Sequence, residues 1–122
     1  MTFDIRGKQF AIDFVSNYCH LKYSELIDLS VKIGDDSEIE RAKALPPEEG
    51  VMVLKDVIKT RREMSRTITA IRSEILRELL ETNSIAYDES WWMHKTSADD
   101  INEIVVESIK KDTANVRASK KK

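Results

Sequence analysis

The residues in this chain whose types can do chemistry are few, and their spacing disposes of most of them. Cys19-His20 sets a thiol beside an imidazole, the ingredients of a nucleophile or a metal ligand set. Adjacent side chains point in different directions, and no second cysteine or nearby histidine completes a site, so a structural role follows for Cys19. His94 has no partner visible in the sequence and reads as a surface or internally satisfied histidine. Asp35, Asp36, Glu38 and Glu40 carry the charge to hold a cation but lack the glycine and terminal glutamate of a calcium loop; the run reads as a solvated face. Lys59, Arg61, Arg62 and Arg66 form a basic patch able to hold a phosphate backbone, but Glu63, Glu74 and Glu78 interleave, which disfavours nucleic acid. No paired acid and base and no activated nucleophile can be named, which makes an enzyme the least favoured class.

Trp91-Trp92-Met93 is chemistry of another kind, that of binding. Successive side chains diverge by about 100° on a helix and face opposite ways on a strand. Both indoles therefore cannot enter one narrow seam. One belongs in the core, where large aromatics usually sit, and the other is half-covered. A Trp left at the surface beside a Met is the composition of a partner-binding patch.

Composition frames these residues. The chain has 122 residues, 41% hydrophobic and 34% charged, with three glycines and two prolines. That is one domain, or one domain with a tail, large enough for a true core and too poor in turn formers for a β-sandwich. No apolar run is long enough to span a bilayer and no charged-then-apolar leader opens the chain, so no membrane role is expected. Cys19 alone cannot form an internal disulfide and is compatible with a reducing cytoplasm. The net charge of −2 gives no overall footprint for nucleic acid.

The elements that must position these residues follow in order. Phe3 and Ile5, then Phe10, Ile12 and Phe14, alternate with a period of two around Arg6-Gly7, predicting a hairpin with strands at 2–5 and 8–14. A lone hairpin is marginal in water and must lie on helices or pair with another chain. Ser16 or Asn17 caps a helical turn, and Ser24 opens a better helix with Leu26, Ile27 and Val31 on one side, stopped by Gly34. A short polar helix follows at 38–44. Pro47, Glu48 and Glu49 open the central helix. There Met64, Ile68, Ile71, Ile75 and Leu79 form one apolar stripe, and Val51, Leu54, Val57 and Ile58 run almost in register with it. An unbroken helix from Pro47 to Thr82 would be about 54 Å long, against about 35 Å for a compact domain of this size. A bend or break near Lys59-Thr60-Arg61 is therefore expected; a projecting helix would instead imply a homo-oligomer. Asp88 caps a short turn through Trp91 and Trp92. Ser97 with Asp100 forms a capping box for a helix that buries Ile101, Ile104, Val105 and Ile109. The predicted architecture is mainly α with a short N-terminal β-hairpin (α+β), a small helical bundle. Its parts are a hairpin at 1–14, a helical domain at 15–111 and a disordered basic tail at 112–122.

The order of these features is itself informative. A hairpin beginning Thr2-Phe3-Asp4-Ile5-Arg6-Gly7-Lys8 precedes a long helix ending Leu79-Leu80-Glu81-Thr82-Asn83. Then come Tyr87-Asp88-Glu89-Ser90-Trp91-Trp92, a polar break, and Ser97-Ala98-Asp99-Asp100-Ile101-Asn102-Glu103-Ile104. Over about residues 1–110 this resembles the tail assembly chaperones of long-tailed bacteriophages, especially those infecting Gram-positive hosts. The resemblance implies a non-enzymatic helical protein of phage or prophage origin, without cofactor, acting in the bacterial host cytoplasm and absent from the mature virion. Its partner would be the tape measure protein, a very long helical chain held soluble while tail tube protein subunits polymerise around it. Many such proteins are also made as a longer product by ribosomal frameshifting. The terminal Lys120-Lys121-Lys122, encoded by A-rich codons, is compatible with a slippery site.

The family carries no point-like active site, so binding residues are read from chemistry alone. A chaperone for apolar helix stripes needs a groove of its own apolar residues, and Met64, Ile68, Ile71, Trp91, Trp92 and Met93 are the candidates. Two rival functions remain. One is a small nucleic-acid-binding regulator using the basic patch and tail; the other is a structural tail component that builds rings through the hairpin edge.

Overall fold

A computed structural model describes residues 1–120, with side chains through residue 115. Among the described residues the order is β1 (Thr2–Ile5), β2 (Lys8–Ala11), α1 (Asn17–Ile33), α2 (Ser37–Lys43), α3 (Pro47–Thr82), α4 (Glu89–Lys95) and α5 (Ala98–Lys120). The expected class holds: a mainly helical α+β protein with a short antiparallel hairpin at its N-terminus. The chain divides into two compact units. One comprises Met1–Tyr23 with Arg72–Lys122, and the other Ser24–Ile71.

In the first unit the hairpin pairs Phe3 with Phe10 and Ile5 with Lys8. Arg6 and Gly7 both take positive φ, 50° and 84°. That is the geometry of the tight two-residue turn whose twist matches the strands, and it is why glycine stands at the second position. Phe3, Ile5, Phe10 and Ile12 are all buried, so the hairpin lays its apolar face inward. β2 ends at Ala11 rather than Phe14. Ile12 still donates to the Met1 carbonyl at 2.8 Å. Beyond it the chain is taken over by Asn83, which turns Phe14 out to 58% exposure. Asn83 Oδ1 accepts from the Asp13 and Phe14 amides at 2.9 and 3.0 Å, and its Nδ2 donates to the Phe14 and Leu79 carbonyls at 2.8 and 2.6 Å. All four hydrogen-bonding positions of one side-chain amide are used. They stitch the end of α3 to the strand exit.

The interior of this unit also holds Ile75, Leu76, Leu79 and Leu80 of α3, Trp92 of α4, and Ile104, Val105 and Ile109 of α5. Ser108 is buried in the same α5 face with its hydroxyl unpartnered. Ser97 and Asp100 form the capping box at the start of α5: the Ser97 amide donates to Asp100 Oδ2 at 2.9 Å, and the Asp100 amide to Ser97 Oγ at 3.3 Å. Arg6 Nε donates to the same Asp100 oxygen at 2.8 Å, tying the hairpin turn to the helix start. The Ser97 amide first, then Arg6, hold the Asp100 carboxyl below its usual range. A carboxylate with a depressed folded-state pKa adds stability above its unfolded pKa and loses it as pH falls through the folded value. Asp100→Asn should therefore flatten the decline in stability between neutral pH and about pH 3. Urea denaturation across that range checks this; a decline as steep as wild type removes the assignment.

α1 is one helix from Asn17, not a capped turn followed by a second helix at Ser24. Ser16 supplies the cap, its hydroxyl accepting from the Cys19 amide at 3.4 Å. Ser24 is an exposed interior residue.

α3 is a continuous helix of 36 residues with no break at Lys59-Thr60-Arg61. That segment contains neither glycine nor proline, and the size argument for a break assumed one globule where the chain forms two units. α5 likewise continues past residue 111 to Lys120, so residues 112–120 are helical where a disordered tail was expected. Asp112 pairs with His20 Nε2 at 2.6 Å and Thr113 bonds back to the Ile109 carbonyl, giving this turn anchors that the apolar pattern does not show. Residues 121–122 of the expected tail, and two of the three lysines of the frameshift expectation, lie outside the described residues.

In the second unit, Asp35 Oδ1 accepts from the Ser37 amide at 3.0 Å ahead of α2. The buried apolar side chains are those of Leu26, Ala42, Val57, Ile68 and Ile71. Gly50 in α3 is buried against α2: a Cβ there would sit 2.8 Å from the Ala42 carbonyl oxygen. Gly50→Ala, which ought to stabilise an isolated helix, should instead cost about 1–3 kcal/mol as the backbones are forced apart. Thermal unfolding of the variant decides it; a higher melting temperature would mean the approach is not tight.

Candidate functional site

The six residues proposed for a partner groove are divided between the two units. Met64, Ile68 and Ile71 belong to the second unit, and Trp91, Trp92 and Met93 to the first. Ile68 and Ile71 are buried, and so is Trp92, at 3% exposure. They are core, not lining. The reason is the stripe itself: the face that makes α3 amphipathic is the face it buries.

Trp91 is half-buried. Its ring meets Trp92 edge-on at 4.9 Å between centroids and lies 5.9 Å from Phe10, with Lys8 Nζ 4.5 Å from its centre. Trp92 stacks tilted on Phe10 at 5.1 Å. Asp88 caps α4 by accepting from the Trp91 amide at 3.1 Å, which fixes which indole turns inward. Met93 is 66% exposed. Met64 is half-buried and lines a cleft of about 220 Å³ with Lys32, Asp35, Val57, Thr60 and Arg61.

The remaining chemical residues are largely engaged. Cys19 is fully buried beside Ser16, and burial pushes its thiol pKa up, the opposite of an activated nucleophile. His20 finds its partner in Asp112, far along the chain. Of the acidic run, Asp36 binds Arg61 at 2.7 Å, Glu38 lies 4.0 Å from Arg41, and Glu40 lies 3.4 Å from Lys43. Among the described residues no group of three or more acidic, histidine or cysteine side chains is placed to hold a metal ion. Nor is any described helix long and apolar enough to cross a membrane.

The exposed apolar residues are found elsewhere. Ile27 and Val31 of α1, one helical turn apart, face solvent, although they were expected on the same side as the buried Leu26. Val51, Met52 and Ile58 of α3 are also exposed. These five lie in the second unit, whose buried residues are few; Phe14, Tyr18, Leu21 and Met93 of the first unit are exposed as well. The basic patch changes membership as well. Arg61 turns to Asp36, while Lys59, Arg62 and Arg66 are exposed and joined by Lys55. The signal for this was present in the sequence: Lys55, Lys59, Arg62 and Arg66 follow the spacing i, i+4, i+7, i+11 of a single helix face. No family model, curated protein or solved structure matches this chain.

Proposed function

We propose that this protein is a tail assembly chaperone of a long-tailed phage or prophage, acting by stoichiometric binding of the tape measure protein in the host cytoplasm. Two things support the reading. The first is the sequence resemblance, carried by the hairpin, the long helix ending at Asn83, the Asp88-Trp91-Trp92 turn and the Ser97-capped helix. The second, which carries most weight, is the surplus apolar surface of the second unit. Ile27, Val31, Val51, Met52 and Ile58 are exposed there, against a core of Leu26, Ala42, Val57, Ile68 and Ile71. Exposed apolar patches are the usual mark of a binding surface, and Val51 and Ile58, seven residues apart, fall on one side of α3. A holdase for a long amphipathic helix has use for such a surface and needs no catalytic group.

Co-expression with the long helical protein encoded downstream tests this. The partner should move from the pellet to the soluble fraction and co-purify with this chain. Equal solubility with and without the chain would overturn the reading. The exposed cations favour one rival, a nucleic-acid-binding regulator; salt-sensitive binding to duplex DNA without any effect on the long protein would select it. Recovery of the chain from purified virions would select a structural tail component instead.

A further inference from the structure

We propose that residues 51–66 of α3 form a docking face for an acidic, amphipathic helical segment of a partner protein. At 100° per residue, Lys55, Lys59, Arg62 and Arg66 fall in one row along the helix, about 17 Å from first to last. Val51 and Ile58 run along one side of the row with the half-buried Leu54, and Met52 lies on the other side. Asp56 falls outside this sector, and Glu63, at its Met52 edge, is the one carboxylate that borders it from residue 51 to 66. A shallow hollow on the face is lined by Lys55, Ile58, Lys59, Arg62, Glu63 and Arg66.

Among the described residues these four cations make no ion pair and no hydrogen bond. The contrast with Arg61 is informative: it leaves the same helix about 120° round from Lys55, beside Leu54, and is held by Asp36 at 2.7 Å and by the Asp35 carbonyl at 3.2 Å. One arginine is spent on holding the unit together, and four cations are not.

The mixture on this face selects the occupant. A phosphate backbone would satisfy the cations and leave Val51, Met52 and Ile58 against water. A lipid surface favours helices with large aromatic and leucine faces, and residues 51–66 contain no aromatic. An amphipathic helix bearing carboxylates meets both needs. Its apolar seam lies along Val51, Leu54 and Ile58, and its acidic edge lies along the cation row, as charged flanks choose partners in coiled coils. The inference rests on the proposed function only in taking the partner to be a protein; it adds which surface is used and what chemistry the bound segment has.

The test uses the full chain and a labelled synthetic peptide of about 18 residues, leucine at the seam positions and glutamate at the flanks. Comparators are the same peptide with lysine in place of glutamate, a DNA duplex, and phosphatidylserine-containing vesicles. The acidic peptide should bind, and should bind at least about tenfold more weakly when salt rises from about 0.05 to 0.5 M. The triple variant Lys59→Glu, Arg62→Glu, Arg66→Glu should lose about tenfold or more and gain affinity for the lysine peptide. Because all three side chains are exposed, its circular dichroism and melting should match wild type. Failure of the acidic peptide to bind, equal binding of both peptides, or no effect of charge reversal overturns the proposal. Tighter binding to DNA or vesicles than to the acidic peptide overturns the choice of partner. Solubilisation of the long protein by wild type and triple variant alike removes this face and leaves the chaperone reading standing. Peptide binding without solubilisation does the reverse.

Discussion

Trp92→Ala is expected to destabilise the protein by about 3–5 kcal/mol, the usual cost of emptying a large aromatic site in a core. Trp91→Ala should cost about 1 kcal/mol, since that ring is half-exposed and its contacts are one edge-on ring, one more distant ring and one lysine. The asymmetry follows from the Asp88 cap. It sets the register of α4, and with successive residues turned by 100° only one of the two indoles can reach the interior. Trp92 does so, at 3% exposure and 5.1 Å from Phe10. Its loss removes the ring on which β2 rests, so hairpin and α4 should loosen together. Urea denaturation of the two variants, read by far-ultraviolet circular dichroism, gives both numbers. Comparable losses would mean that the two rings share the core role.

Replacing Asn83 should also be costly for one exposed-to-intermediate residue: about 2–3 kcal/mol in Asn83→Asp, and somewhat less in Asn83→Ala. The ordering is the informative part. Asn83 uses its oxygen for two amides and its nitrogen for two carbonyls. Aspartate keeps the acceptor but sets a negative oxygen against the carbonyls of Phe14 and Leu79, while alanine leaves all four groups to water. Amide shifts of residues 13 and 14 in the nuclear magnetic resonance spectrum report the clamp directly. An Asn83→Asp variant as stable as wild type would show that the amide nitrogen contributes nothing.

These two sites also mark the limit of what local pattern can reveal. The hairpin, its tight turn at Arg6-Gly7, the Asp88 cap, the Ser97–Asp100 box and the stripe from Ile68 to Leu79 are all local grammar, and each was legible in the sequence. Phe14 was not: its alternation is correct as far as Ile12, and it is then turned outward by a side chain some seventy residues away. The end of α5 failed for the same reason, since Asp112 is held by His20 across |i−j| = 92. Ser24 has the chemistry of a cap, but a serine inside an exposed helical turn has the same chemistry. The candidate binding residues failed differently. Met64, Ile68 and Ile71 lie on the most regular apolar stripe of the chain, and regularity is what burial demands. Val51 and Ile58 read as a near continuation of that stripe, and Ile27 and Val31 as neighbours of Leu26, yet all four are exposed: a drift of some tens of degrees per turn separates a buried face from a wet one.

The uneven sharing of buried side chains has a consequence for how the molecule breathes. Resistance of amides to hydrogen exchange tracks how much apolar contact must be broken to open them. Residues 72–80 of α3 sit over Ile75, Leu76, Leu79 and Leu80, all fully enclosed, whereas residues 51–58 of the same helix carry three exposed apolar side chains. One uninterrupted helix should therefore exchange slowly toward its C-terminal end and quickly toward its N-terminal end. A bound partner would be felt as slowed exchange in the quick half, with the slow half almost unmoved.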